Sequence, residues 1–149
     1  MAPAFLKSEY DDRLARVRTE MAARDLDALV IGDPDNINWL TGYDAWSFYT
    51  PQMMLVDLHD GPFWMGRLMD AGAANFTTYL AASQIVPYPE DLVQRPDTHP
   101  MSHLAGWMAD HGCASARIGY ESESYYFTPR ALHAGSYTHL RAHETMSNR

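Results

Sequence analysis

The sequence predicts an α/β domain built on a mixed, mostly five-stranded sheet flanked by helices. Helix-period segments and short strand-like apolar segments alternate along most of the 149 residues, the pattern of a sheet covered by helices. Two of the strand-like runs are joined by His59-Asp60-Gly61, and an Asp-Gly between short apolar runs marks an antiparallel hairpin. Composition agrees: 46% apolar and 20% charged residues describe a globular chain, long enough to bury a core without disulfides.

The first expected element is a helix over residues 9–24. Tyr10, Leu14, Val17 and Met21 recur at helical spacing while Asp, Arg and Glu fill the other face. Ser8 is placed to cap it, with acidic residues in the first turn where the helix dipole favours them. Residues 26–31 follow as a short apolar strand, and Gly32-Asp-Pro-Asp-Asn36 then supplies turn chemistry. Residues 53–58 and 62–66 form the hairpin. An Ala-rich helix is expected over 68–80, with Leu68, Ala71, Asn75 and Thr78 on one side. Residues 84–88 make a strand ended by Pro87 and Pro89. A helix over 100–111 carries Leu104, Trp107 and Met108 on one face, and Gly112 terminates it. Residues 116–120 supply the fifth strand, and Thr128-Pro129 opens a last helix beginning in 127–134.

A net charge of −8 opposes nucleic-acid binding, which depends on neutralising phosphates with Lys and Arg. The single cysteine, Cys113, suits a reducing compartment and has no cationic neighbour except His111, so an inert structural thiol is expected. No apolar run approaches the roughly 20 residues of a membrane span, and the N-terminus lacks a secretion signal. A cytoplasmic chain without membrane or nucleic-acid partners is the expectation.

The segment from Asn36 to Pro51 crowds Trp46, Phe48 and Tyr49 with Asp44 into turn-rich sequence between two strands, and such a loop is expected to meet a ligand or an interface. Aromatic faces attract positive charge, more so when water is excluded, so compact cations and small zwitterions are the expected ligands. Asp44 is expected to meet the ligand's cationic part or an arginine of a partner subunit, or to bond nearby backbone amides. Other constellations are weaker. Arg67 and Asp70 read as a local ion pair. His99 and His103 have i, i+4 spacing but no accompanying ligand, and His139, His143 and Glu144 share a similar spacing near the C-terminus. Glu121, Ser122, Glu123 and Ser124 read as an exposed acidic loop, since no Gly-x-Ser-x-Gly elbow surrounds either serine. No metal site, cofactor or catalytic residue is assigned.

Four blocks carry a family resemblance: Asn36-Ile-Asn-Trp-Leu-Thr-Gly-Tyr43, Trp64-Met-Gly-Arg67 with Asp70, Tyr88-Pro with Val93-Gln94 and His99-Pro-Met101, and Ile118-Gly-Tyr-Glu121 with Tyr125-Tyr-Phe127. In order and spacing they resemble the N-terminal domain of the creatinase/prolidase superfamily, and the run Trp39 to Tyr49 is most similar to its ectoine hydrolase branch. The resemblance implies a ribonuclease H-like motif over residues 5–134 and a larger catalytic pita-bread domain elsewhere in the parent protein. It further implies a parent homodimer in which this domain lends residues to the partner's active site, so that the domain alone is inactive. Creatinase itself carries Phe-x-Arg where this chain reads Phe48-Tyr49-Thr50, and losing the arginine turns the expectation from creatine toward ectoine. The alternatives are an Xaa-Pro aminopeptidase or prolidase, with divalent metals held in the other domain, and a non-catalytic dimerisation or binding module. Gly135-Ser-Tyr-Thr-His-Leu-Arg-Ala-His-Glu-Thr145 resembles translated sequencing-adapter read-through, so residues 135–149 are expected to be a non-native tail on a truncated gene.

Overall fold

The computed structural model describes residues 3–138 and 142–145. The first helix, α1, runs Lys7–Ala23 and buries Tyr10, Leu14 and Met21, with Val17 half-buried beside them. The spacing therefore located the helix and its buried face, but not its start. Leu6 stands at the cap without a side-chain bond, and Ser8 lies inside the first turn.

Strand β1 (Ala28–Ile31) is buried at all four positions and leads into α2 (Pro34–Thr41). This helix corrects the expectation that residues 36–51 form one loop. Asp33 caps it by accepting from the Asp35 amide, Pro34 occupies the first turn, and Gly42 closes it at φ 78 with its amide on the Asn38 carbonyl. The Asp-Pro and the Gly that read as turn chemistry are the two ends of a short helix. Only residues 43–52 remain irregular.

The expected hairpin is β2 (Met53–Asp57) against β3 (Phe63–Arg67), antiparallel in the register Met53↔Met65 and Leu55↔Phe63. A single 3-10 turn over Leu68–Asp70 then precedes α3 (Ala71–Thr77). The buried side of this stretch is Asp70, Ala74 and Thr78, so of the stripe expected from sequence Thr78 is buried and Ala71 half-buried, whereas Leu68 and Asn75 are exposed. Strand β4 (Ile85–Tyr88) pairs parallel with β3 and tolerates Pro87 because it lies at the sheet edge. Helix α4 (Pro100–Met108) continues into a distorted turn over Ala109–Cys113, where the helical path breaks at His111 and at Gly112, φ 89. Strand β5 (Ile118–Tyr120) pairs parallel with β1, and α5 (Pro129–Thr138) starts where Thr128 Oγ1 accepts from the Ala131 amide at 3.2 Å.

The sheet order is β4-β3-β2-β1-β5, extended at one edge by β6 (Ala142–Thr145), which pairs parallel with β5. This is the mixed sheet that the sequence predicts, with the sixth strand and the last turn of α5 lying in the segment expected to be non-native. Both faces of the sheet are covered. Leu29, Ile31, Met54, Val56 and Trp64 pack with α1, α2 and α3 on one side. Ala28, Val30, Met53, Leu55 and Met65 pack with α4 and α5 on the other. Burial on both faces is why β1 and β2 read as continuous apolar runs rather than alternating ones.

Candidate functional site

Residues 43–52 bridge α2 and β2, and two buried anchors hold them in place. At the far end, Tyr88 donates its hydroxyl to the Pro51 carbonyl at 2.6 Å, and burial keeps that phenol above its ordinary pKa. In the middle, Ser47 donates to Asp70 Oδ1 at 2.6 Å. Arg67 Nε bonds Asp70 Oδ2 at 2.8 Å, while its Nη2 reaches Ser47 Oγ at 3.1 Å and Tyr49 Oη at 3.2 Å. The Asp70 carboxylate holds the guanidinium more firmly protonated than usual. Arg67 and Asp70 thus form the expected ion pair, but its purpose reaches beyond the strand-to-helix junction: it latches the aromatic loop onto the end of β3. Nothing local in the sequence connects Ser47 and Tyr49 to this pair, since 20 and 18 residues, respectively, separate them from Arg67.

The latch leaves the loop's large side chains in the open. Trp46 is 82% exposed, Phe48 49% and Tyr49 55%, and their rings meet edge to face at 6.1 and 6.0 Å. Arg67 lies over one face of Tyr49 at 5.4 Å. Asp44 is exposed and its backbone amide bonds Thr77 Oγ1 at 3.2 Å.

Phe48 and Tyr49 line a cleft of about 190 Å³ whose other walls include Gln52, His99, Tyr125 and Tyr126. The structure therefore brings two of the four sequence-selected residues into one concavity, while Trp46 and Asp44 stand outside its lining. Gln52 and the tyrosines of 125–126 were not selected as site residues. A glutamine at the mouth of the apolar run 53–56 was the available signal for the first. A larger concavity of about 400 Å³ lies between α1, α2 and the sheet, lined by Val17, Leu29, Ile31 and Trp39 among others. It contains none of the selected residues.

Glu121 overturns its sequence reading. It is 6% exposed, not part of a solvated acidic loop. Its Oε2 accepts from the Gly32 and Asp33 amides, both at 2.8 Å, and its Oε1 from Asn36 Nδ2 at 2.5 Å. The carboxylate clamps the β1–α2 turn from the end of β5.

His99 caps α4 through Nδ1, which accepts from the Met101 amide at 3.1 Å, while His103 is exposed on the helix. Burial and the nearby Arg130 lower the His99 pKa below 6.5. Cys113 is buried, and burial followed by Asp57 and Asp27 raises its thiol pKa. Among the described residues no group of three or more His, Cys, Asp or Glu side chains is arranged to hold a metal ion, and no helix is long and apolar enough to cross a membrane. The side chains of His139, His143 and Glu144 lie outside the described residues.

The fold is an α/β domain, a mixed sheet covered on both faces by helices, with an aromatic loop latched to it through Ser47 and Asp70. The model of the Creatinase/Prolidase N-terminal domain matches residues 13–142, and the chain belongs to that family. It is 48% identical over 128 residues to ectoine hydrolase of Halomonas elongata, covering 85% of this chain and 32% of that protein. It is 43% identical, at the same coverage, to the uncharacterized hydrolase/peptidase y4tM of Sinorhizobium fredii. The chain spans about a third of the length of these curated relatives. Among solved structures, a Creatine_N superfamily domain of a dipeptidase from Streptococcus thermophilus superposes with a TM-score of 0.71 at 13% identity, over 89% of this chain and 91% of that one. The N-terminal domain of an Xaa-Pro dipeptidase from Lactobacillus brevis gives 0.70 at 13%, over 87% and 89%. At such identity the likeness is one of fold. The family and the sheet architecture expected from the four sequence blocks are both met.

Proposed function

We propose that this chain is the N-terminal domain of an ectoine hydrolase, a cytoplasmic homodimer that opens a cyclic amidine. Water adds to the amidine carbon, the bond to one ring nitrogen breaks, and that nitrogen leaves as an amine while the other becomes the amide of N-acetyl-diaminobutyrate. The groups that move the protons belong to the catalytic domain. This domain contributes the aromatic rim of Trp46, Phe48 and Tyr49, with Asp44 beside it, to a site completed by that domain and the partner subunit. Positioning residues without the acid/base groups supply no chemical step, so the 149-residue chain is inactive by itself. On this reading the native domain spans 5–134, residues 135–149 do not belong to it, and the reaction needs no metal or other cofactor.

The observation that supports it best is the 48% identity to ectoine hydrolase, over a stretch long enough to include the loop at 43–52. An exposed aromatic cluster held rigid by buried polar anchors suits a planar cation, because the rings need no reordering when it arrives. Reading the coding DNA beyond codon 134 in the source material tests the proposal. A catalytic domain without the acidic and histidine metal ligands of the peptidases is expected. A complete ligand set in that position would assign a metallopeptidase instead, and a native stop would leave a free-standing binding module.

A further inference from the structure

Among the described residues three buried side-chain polar atoms lack a hydrogen bond, on Tyr43, Trp64 and Gln52, and of the three residues Gln52 is the one that lines a cleft. Gln52 is 6% exposed, and its Oε1 is buried without a hydrogen bond among the described residues. Leaving a buried amide oxygen unsatisfied is costly, and sequences rarely tolerate it without return. This amide lines the cleft of about 190 Å³ behind Phe48 and Tyr49. A carboxamide turns about its last torsion at little cost, so its oxygen can be presented to a molecule entering the cleft.

The surroundings specify what would satisfy it. No Asp, Glu, Lys or Arg lines the cleft, so its floor offers neither a counter-charge nor a competing cation. On the same lining, burial and then Arg130 lower the His99 pKa and so disfavour its cationic form. One wall is the ring of Phe48, and Arg67 already occupies one face of Tyr49. The unmet need is a hydrogen-bond donor; the walls favour a flat, delocalised cation.

We propose that Gln52 is a specificity residue that accepts a hydrogen bond from an N–H of an amidinium lying against Phe48. The assignment deepens the ectoine reading and rests on it for the identity of the ligand. It also explains why a polar side chain stands at the head of the buried run Met53–Val56, where an apolar residue would pack without penalty.

The test titrates the 149-residue chain, wild type and Gln52→Met, with three probes followed by amide and side-chain NMR: ectoine, acetamidinium and tetramethylammonium. Ectoine and acetamidinium are expected to shift the Gln52 carboxamide and the Phe48 ring. Gln52→Met is expected to weaken both about tenfold, the worth of one hydrogen bond to a charged group, and to leave tetramethylammonium, which has no N–H, unaffected. The variant's thermal midpoint should equal or exceed that of wild type, separating lost recognition from lost folding. Equal binding of ectoine by both proteins would overturn the role of Gln52 while leaving the aromatic rim in place. No perturbation of the cleft by ectoine would also overturn it, and the hydrolase reading would then be decided separately by turnover in the full-length enzyme.

Discussion

Ser47 and Asp70, 23 residues apart, meet at 2.6 Å in a nearly water-free contact that ties the aromatic loop to the end of the hairpin. The loop is thus exposed in its large side chains and rigid in its backbone, a combination that serves recognition because little freedom remains to be lost on binding.

Replacing Asp70 with Asn would remove the charge that Arg67 pairs with while both side chains are only 11–12% exposed. A loss of about 2 kcal/mol is expected, below the cost of a fully buried ion because Arg67 retains some access to water. Urea denaturation measures it, and hydrogen exchange should show the amides of Phe48 and Thr50 opening more often. An unchanged exchange pattern would mean the latch does not order the loop.

Glu121→Ala leaves three donors without an acceptor, from Gly32, Asp33 and Asn36. The expected destabilisation is about 3 kcal/mol, with Glu121→Gln recovering part of it because the amide oxygen still accepts. Denaturation midpoints of the two variants, compared with wild type, give the answer.

Gly42→Ala is expected to cost about 2 kcal/mol. The position holds φ 78, and an added Cβ would lie 2.8 Å from the Tyr10 hydroxyl and 3.1 Å from the Thr77 carbonyl. A thermal midpoint within error of wild type would show that the end of α2 can reorganise.

Trp46→Ala should separate folding from recognition. An indole that is 82% exposed contributes little to stability, so the change in unfolding free energy should stay within about 0.5 kcal/mol. Ectoine binding should weaken. Unchanged binding would remove Trp46 from the rim.

His99 predicts a pH dependence. Its folded pKa lies below the ordinary 6.5, so the unfolded chain takes up the proton first as pH falls. The contribution is fully present above 6.5 and is lost as pH drops from there toward the lower folded value. His99→Asn keeps a capping side chain and removes the titration, so its stability should fall less steeply across that window. Parallel slopes for the two proteins would rule out His99 as a source of the acid sensitivity.

Periodicity made the sheet and the helices legible, because Tyr10, Leu14 and Met21, or the run Met53–Val56, report burial directly. Local chemistry was more ambiguous. Asp33, Pro34 and Gly42 are as suited to capping an eight-residue helix as to shaping turns, and nothing short-range separates the two readings. Long-range polar contacts left no trace at all. Glu121 sits among Ser122, Glu123 and Ser124 like any solvated acid, and only the return of β5 beside β1 places it under the Gly32 and Asp33 amides. For the same reason the loop was recognised by its aromatics, while Gln52 and the latch of Ser47, Arg67 and Asp70 required the fold.

The most direct measurement of the central claim is the conversion of ectoine by the full-length protein that carries this domain, followed by chromatography of the products. Ectoine hydrolase activity predicts accumulation of N-acetyl-diaminobutyrate with one water consumed per ring opened, and no cleavage of Xaa-Pro dipeptides. Dipeptide cleavage with ectoine left intact would contradict the account and assign the aromatic rim to a peptidase.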